Sequence, residues 1–153
     1  MERELLGAAA RLHDIGTRIS VDKHHKHGAY IVEHAGLRGF SPDEIALLAC
    51  LVRFQRGSAP KASYPAYAAL LASDREACRT LAGILRVAHA LARGGADDVT
   101  SIRVDAANDE LVVRIEGGNP VHAVADANEQ ATLLARTLGS PVRFAFVEAG
   151  SPS

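Results

Sequence analysis

"AARLHDIGTRISVDKHHKHGAYIVEHA", residues 9–35, carries five of the chain's seven histidines, and its reading decides the fold. Leading into it, Leu5, Leu6, Ala9 and Leu12 recur at helical spacing among alanines, which predicts a helix over 2–13. Gly16 breaks that period just after Ile15, so His13 and Asp14 fall at a helix end. A second helix is expected from about His25 to Glu33, apolar at Ala29, Tyr30, Ile31 and Val32 and stopped by Gly36.

Working outward, "FSPDE" at 40–44 is a strong helix start. Ser41 suits the N-cap, Pro42 the first turn, and Glu44, three residues on, completes a capping box. Ile45, Leu48, Leu51 and Val52 then carry an apolar period to about Gln55. "RGSAPKASYP" at 56–65 is a loop rich in Gly, Ser and Pro, and 66–72 is a short helix. Ser73-Asp74 caps a long helix whose apolar face is Cys78, Leu81, Ile84, Leu85, Ala88 and Leu91, and Gly94-Gly95 ends it.

Beyond the glycines the texture changes. "VTSIRVD" and "ELVVRIEG" alternate like two strands of a hairpin around "AAND". Residues 125–138 return to helix through Ala127, Ala131, Leu134, Ala135 and Leu138, and "SPVRFAFVE" supplies a third strand. The expected fold is therefore mainly α: a helical bundle over 1–95, followed by a small ββαβ extension over 96–153.

Composition narrows the function classes. With 153 residues, 48% of them apolar, the chain can bury a compact core as one domain or one domain with an appendage. Seventeen Lys and Arg against 18 Asp and Glu give a net charge of −1, which offers no reason for sequence-independent nucleic-acid binding. Cys50 and Cys78 lack CxxC spacing and lie in apolar helical stretches, so buried thiols in a reducing cytosol are expected. The charged start, Met1-Glu-Arg-Glu, is not a signal peptide, and no stretch is long enough to cross a bilayer.

A histidine followed by an aspartate at a helix end points both side chains into one small volume. Imidazole and carboxylate together suit Mn, Fe, Zn or Mg, and a metal held there lowers the pKa of bound water and offsets phosphoryl charge. The competing reading is an N-cap or ion-pair role holding the helix corner.

The run "AARLHDIG…HHKHGAYIVEHAGLRGFSPDEIALLACLVRFQRG" resembles the helical C-terminal module of the exopolyphosphatase/guanosine pentaphosphate phosphohydrolase family, itself related to HD-domain phosphohydrolases. The resemblance covers about residues 5–95. It implies that hydrolysis belongs to two actin-like lobes with phosphate loops and a catalytic glutamate, which this sequence does not contain. It also implies that the helical module binds a long polyanion and stabilises a homodimer. In metal-dependent HD relatives the ligands are an upstream histidine, the HD pair, further histidines and a late aspartate. The positions that match are His13, Asp14 and His27, with His89 standing where the aspartate would be. Gln55 replaces a histidine in "VRFQRG", and no upstream histidine precedes residue 5. Each of the four has a structural alternative: His89, for instance, as a polar residue bonded to His13 or Asp14. His24, His25 and His34 are expected to face solvent.

A phosphate-binding reading asks less of these residues. Lys23 and Lys26 lie in the histidine run, Arg53, Arg56 and Lys61 cluster around the loop after the 41–55 helix, and Arg18 lies near the HD corner. If the helices pack antiparallel, these groups gather as a groove for polyphosphate or a nucleotide's phosphates; the competing reading is a solvated basic rim. The expectation is thus a cytoplasmic, cofactor-free phosphate-polyanion module, homodimeric, belonging to or paired with a separate catalytic phosphatase subunit. Neither a membrane nor a specific nucleic acid is an expected partner. Two alternatives stand beside it: a metal-dependent phosphohydrolase acting on a nucleotide or phosphoester, and a regulatory domain sensing an alarmone-like nucleotide.

Overall fold

The computed structural model describes residues 1–94, 99–117 and 121–147. The fold is mainly α with one small sheet, as the sequence predicts. The chain divides into two compact units, Met1–Leu85 and Arg86–Ser153, and the division falls inside a long helix. Gly95 and Glu148, which the sequence reading placed at element ends, lie outside the described residues.

The first unit holds α1 (Glu2–Leu12), a 3₁₀ turn (Ile15–Arg18), α2 (His24–His34), α3 (Pro42–Phe54), α4 (Pro65–Ala69) and the first part of α5 (Ala72–Arg93). Helix α3 is its centre. Its start is the predicted capping box: the Ser41 hydroxyl accepts from the Glu44 amide at 3.3 Å, and the Glu44 carboxylate accepts from the Ser41 amide at 2.7 Å. Those bonds hold the Glu44 carboxyl below its ordinary range. Leu47 through Val52 and Phe54 are all buried, so α3 is apolar on every side and α1 and α2 pack against it. Leu48, Leu51, Val52 and Phe54 are fully enclosed, each contributing about 1.5–3 kcal/mol of burial. Cys50 and Cys78 are buried free thiols, as expected, and they meet: a hydrogen bond to Cys50, together with burial, pushes the Cys78 thiol upward in pKa.

The second unit carries the end of α5 and the three strands β1 (Ser101–Ala107), β2 (Glu110–Glu116) and β3 (Val142–Val147). Strands β1 and β2 form an antiparallel hairpin with Val104 opposite Val113. Its two-residue turn, Asn108-Asp109, has φ of 52° and 61°, the left-handed pair that matches strand twist. Strand β3 then pairs parallel to β2, Phe144 beside Val113, giving the order β1-β2-β3. The parallel pairing requires a crossover, which α6 (Val121–Gln130) and α7 (Thr132–Leu138) supply. The sequence predicts a single helix over 125–138; two are found. At the break, the Ala131 amide bonds the Asn128 carbonyl three residues back at 3.3 Å, interrupting the α-helical ladder. Asn128 has a second role. Its side chain donates to the Phe144 carbonyl at 3.0 Å and accepts from the Phe144 amide at 2.8 Å, standing in for a strand beside β3.

Candidate functional site

The site is the corner between α1 and α2. His13 caps the end of α1, and its ring Nδ1 lies 2.7 Å from the Ala10 carbonyl oxygen. Its Nε2 lies 2.9 Å from Asp14 Oδ2. Asp14, at φ −100° and ψ 3°, turns the chain into the 3₁₀ segment, where its own carbonyl accepts the Thr17 hydroxyl at 2.7 Å. The other carboxylate oxygen, Oδ1, faces His24 Nε2 at 3.5 Å. Asp14 therefore sits between two imidazoles, one from each helix. The HD side chains meet each other directly, and no side-chain cap bond from Asp14 is formed.

Two glycines make this corner. A methyl group at Gly16 would overlap the His24 carbonyl oxygen and the Gly28 nitrogen, so the 3₁₀ turn rests directly on the backbone of α2. At Gly28 a methyl would come within 2.9 Å of Val52 Cγ1, so α2 in turn rests on α3. His24 is carried inward by this contact: it shares the buried stripe of α2 with Gly28, Ala29 and Val32. The expectation that His24 and His25 face solvent is corrected here. His24 is 6% exposed and His25 is half-buried, whereas His34 is exposed and stacks on Tyr30 as a surface pair. The signal in the sequence was the i, i+4, i+8 spacing of His24, Gly28 and Val32, which places the imidazole on the packing face.

Gln55 closes the corner from the far end of α3. It is 2% exposed, and its Nε2 donates to the His13 carbonyl at 2.7 Å, tying together residues 42 apart in sequence. The sequence reading used Gln55 only as a histidine that is missing. Its structural part is to hold the HD backbone in place. Its Oε1, His24 Nε2 and His25 Nδ1 are buried without a hydrogen-bond partner, so three polar atoms near one corner retain unused bonding capacity.

His25 is the electrostatic hub. Burial first, then the charge of Arg53, with His24, Lys26 and Arg56 adding to it, lowers its pKa from 6.5 to about 4. It stays neutral at pH 7 because burial, and then the cations around it, disfavour its charged form. Its Nε2 faces the loop after α3, 3.6 Å from where a Gly57 methyl would stand. Arg53 lies against Phe54 and Tyr64, its guanidinium carbon 5.5 and 5.4 Å from the two ring centroids. Lys26 and Arg56 are exposed. Among the described residues, no acidic side chain forms an ion pair with Lys26, Arg53 or Arg56.

Of the six predicted phosphate-binding residues, the structure thus gathers Lys26, Arg53 and Arg56 around His25. Arg18 is exposed at the end of the 3₁₀ turn, Lys61 is exposed in the following loop, and Lys23 lies 3.8 Å from its neighbour Asp22. Of the predicted metal set, His13 and Asp14 touch. Among the described residues, the imidazoles within ion-pair distance of Asp14 are His13 and His24; His27, a turn further along α2, is half-buried. His89 is half-buried in the part of α5 that belongs to the second unit. Among the described residues, no group of three or more His, Cys, Asp or Glu side chains is placed to hold a metal ion. A surface depression of about 330 Å³ lined in part by Asp43, Glu44 and Asp74 has the wrong sign for phosphate.

No helix among the described residues is long and apolar enough to cross a membrane. Residues 1–138 match the family described as Ppx/GppA phosphatase, domain III. Over 95 residues the chain is 30% identical to a guanosine-5'-triphosphate,3'-diphosphate pyrophosphatase from Pseudoalteromonas translucida (strain TAC 125). That alignment covers 62% of this chain and 18% of the relative, so the chain spans only a small part of the relative's length. The chain belongs to the Ppx/GppA phosphatase family, in which it corresponds to domain III.

Proposed function

We propose that this chain is a phosphate-polyanion-binding module that takes up polyphosphate, or the phosphates of a nucleotide, at the corner formed by α2 and the end of α3. The observation that carries the reading is the convergence of Lys26, Arg53 and Arg56 on His25 with no acidic partner among the described residues. Three cations held together, none of them in an ion pair among the described residues, form a local positive field on a chain of net charge −1. The guanidinium of Arg53, already held against two rings, loses little freedom on binding, and Arg56 and Lys26 add a fork and a point charge at the rim. The orphaned Nδ1 of His25 can bond a phosphate oxygen directly or through water.

In this reading the module binds and hydrolysis is done elsewhere, by further domains or a separate catalytic phosphatase subunit, in the cytoplasm. The name of the relative adds a guanosine nucleotide phosphorylated at both ends as a second ligand of the same chemistry. The module also supports a homodimer.

The test is a polyphosphate titration at several salt concentrations, with wild type beside Arg53→Ala/Arg56→Ala. Binding should weaken steeply with salt, and the double variant should lose about two units of the salt slope, since each lost phosphate contact removes roughly one. Equal affinity and slope in the two proteins would sink the reading.

A further inference from the structure

The two edges of the sheet in the second unit are built differently. The edge at β3 is occupied by the Asn128 side chain, which bonds both backbone groups of Phe144. The edge at β1 has no neighbouring strand among the described residues, and β1 is exposed from Ile102 to Ala106. Its sequence, "SIRVDAA", contains no proline and no lysine, and its two charges, Arg103 and Asp105, are of opposite sign. Its alternation is clean: Ile102 and Val104, 57% and 63% exposed, stand on one face, and Arg103 and Asp105 on the other.

We propose that β1 is the pairing edge of a symmetric dimer, its partner being β1 of a second copy running antiparallel across a twofold axis at Val104. This deepens the dimer part of the function proposed above and is independent of the phosphate part. The register follows from charge and apolar complementarity. Centred on Val104, the pairing sets Arg103 of each copy opposite Asp105 of the other, and Ile102 opposite Ala106, with opposing side chains sharing a face. Asp105, already 2.6 Å from Arg114, then lies between two arginines. Centring on Arg103 or Asp105 would instead set like charges opposite each other. Centring between residues would set Val104 against Arg103 and put apolar against charged. Of these registers, the Val104 one alone sets opposite charges on one face and apolar side chains on the other. The contact is small, seven residues a side, so the dimer is weak and reversible, with a dissociation constant on the order of micromolar.

The register is tested by cysteine cross-linking on the full chain, whose own Cys50 and Cys78 are buried. Sedimentation of wild type comes first and should show concentration-dependent dimers. In the proposed register the two Val104 Cα atoms stand about 4.5–5.5 Å apart, within disulfide reach, whereas the two Ile102 Cα atoms are roughly 14 Å apart. Val104→Cys should therefore form a covalent dimer under mild oxidation, Ile102→Cys should not, and Ile102→Cys/Ala106→Cys should. Val104→Lys, a change at an exposed position, should keep the fold by circular dichroism and weaken dimerisation about tenfold or more. A wild type that stays monomeric, with β1 covered by another part of the chain or not at all, would overturn both the dimer reading and this surface. A dimer that survives Val104→Lys and gives no Val104→Cys cross-link would overturn the surface alone, leaving the dimer to another face.

Discussion

Gln55 donates to the carbonyl of His13 at 2.7 Å, and this single bond ties the end of α3 to the end of α1. Replacing Gln55 by Ala removes the donor and leaves a cavity beside a buried carbonyl. Gln55→Ala should lower the urea-unfolding free energy by about 2 kcal/mol, the cost of orphaning a buried acceptor plus lost packing. A loss below about 0.5 kcal/mol, the range of ordinary surface changes, would mean the tether is incidental.

The glycines should separate by position. Gly16→Ala places a methyl into the backbone of α2 and should cost about 3 kcal/mol by thermal or urea unfolding. Gly7→Ala meets only the end of Arg11, at 3.9 Å, in the middle of α1, and should stabilise by roughly 0.5–1 kcal/mol through helix propensity. Equal effects at the two positions would contradict the close approach of the 3₁₀ turn and α2.

Much of the architecture could be read from the residues. Ser41, Pro42 and Glu44 announced α3, and the alternation in "SIRVD" and "ELVVRIE" announced the hairpin, because these signals depend on neighbours along the chain. The break at Ala131 could not be read, since no glycine or proline marks it and its cause includes Asn128 reaching β3. At the site, the HD pair and the six candidate cations stood out as residue types, and three of the six lie around His25. The burial of His24 and the tether from Gln55 did not, because both come from helices packed at glycines, and close approach is a property of pairs distant in sequence. A basic residue's identity says nothing of whether an acid sits beside it. That is why Arg53 and Arg56 separate from Lys23 only in three dimensions.

The pH dependence of stability follows from His25. Its folded pKa, about 4, lies below the unfolded value of 6.5, so between these values the unfolded chain binds the extra proton. Stability should therefore rise with pH from about 4 to 6.5 and level off above, this contribution being lost on acidification. His25→Asn should flatten that limb in urea denaturation across the same window. An unchanged slope would place the titration elsewhere.

Asp14 directs its two oxygens at His13 and His24, and the phosphate-binding reading requires no metal at this corner. Purified protein dialysed against Mn, Fe, Zn or Mg should retain no stoichiometric metal, and a chelator should leave the melting temperature unchanged. A one-to-one metal that disappears in His13→Ala would restore the hydrolase reading.

The most direct measurement is a nuclear magnetic resonance titration of the histidine rings and arginine side chains with polyphosphate at low salt. The account predicts saturable shifts at His24, His25, Arg53 and Arg56, with His122 in α6 unmoved. Shifts confined to other residues, or none at millimolar ligand, would contradict it.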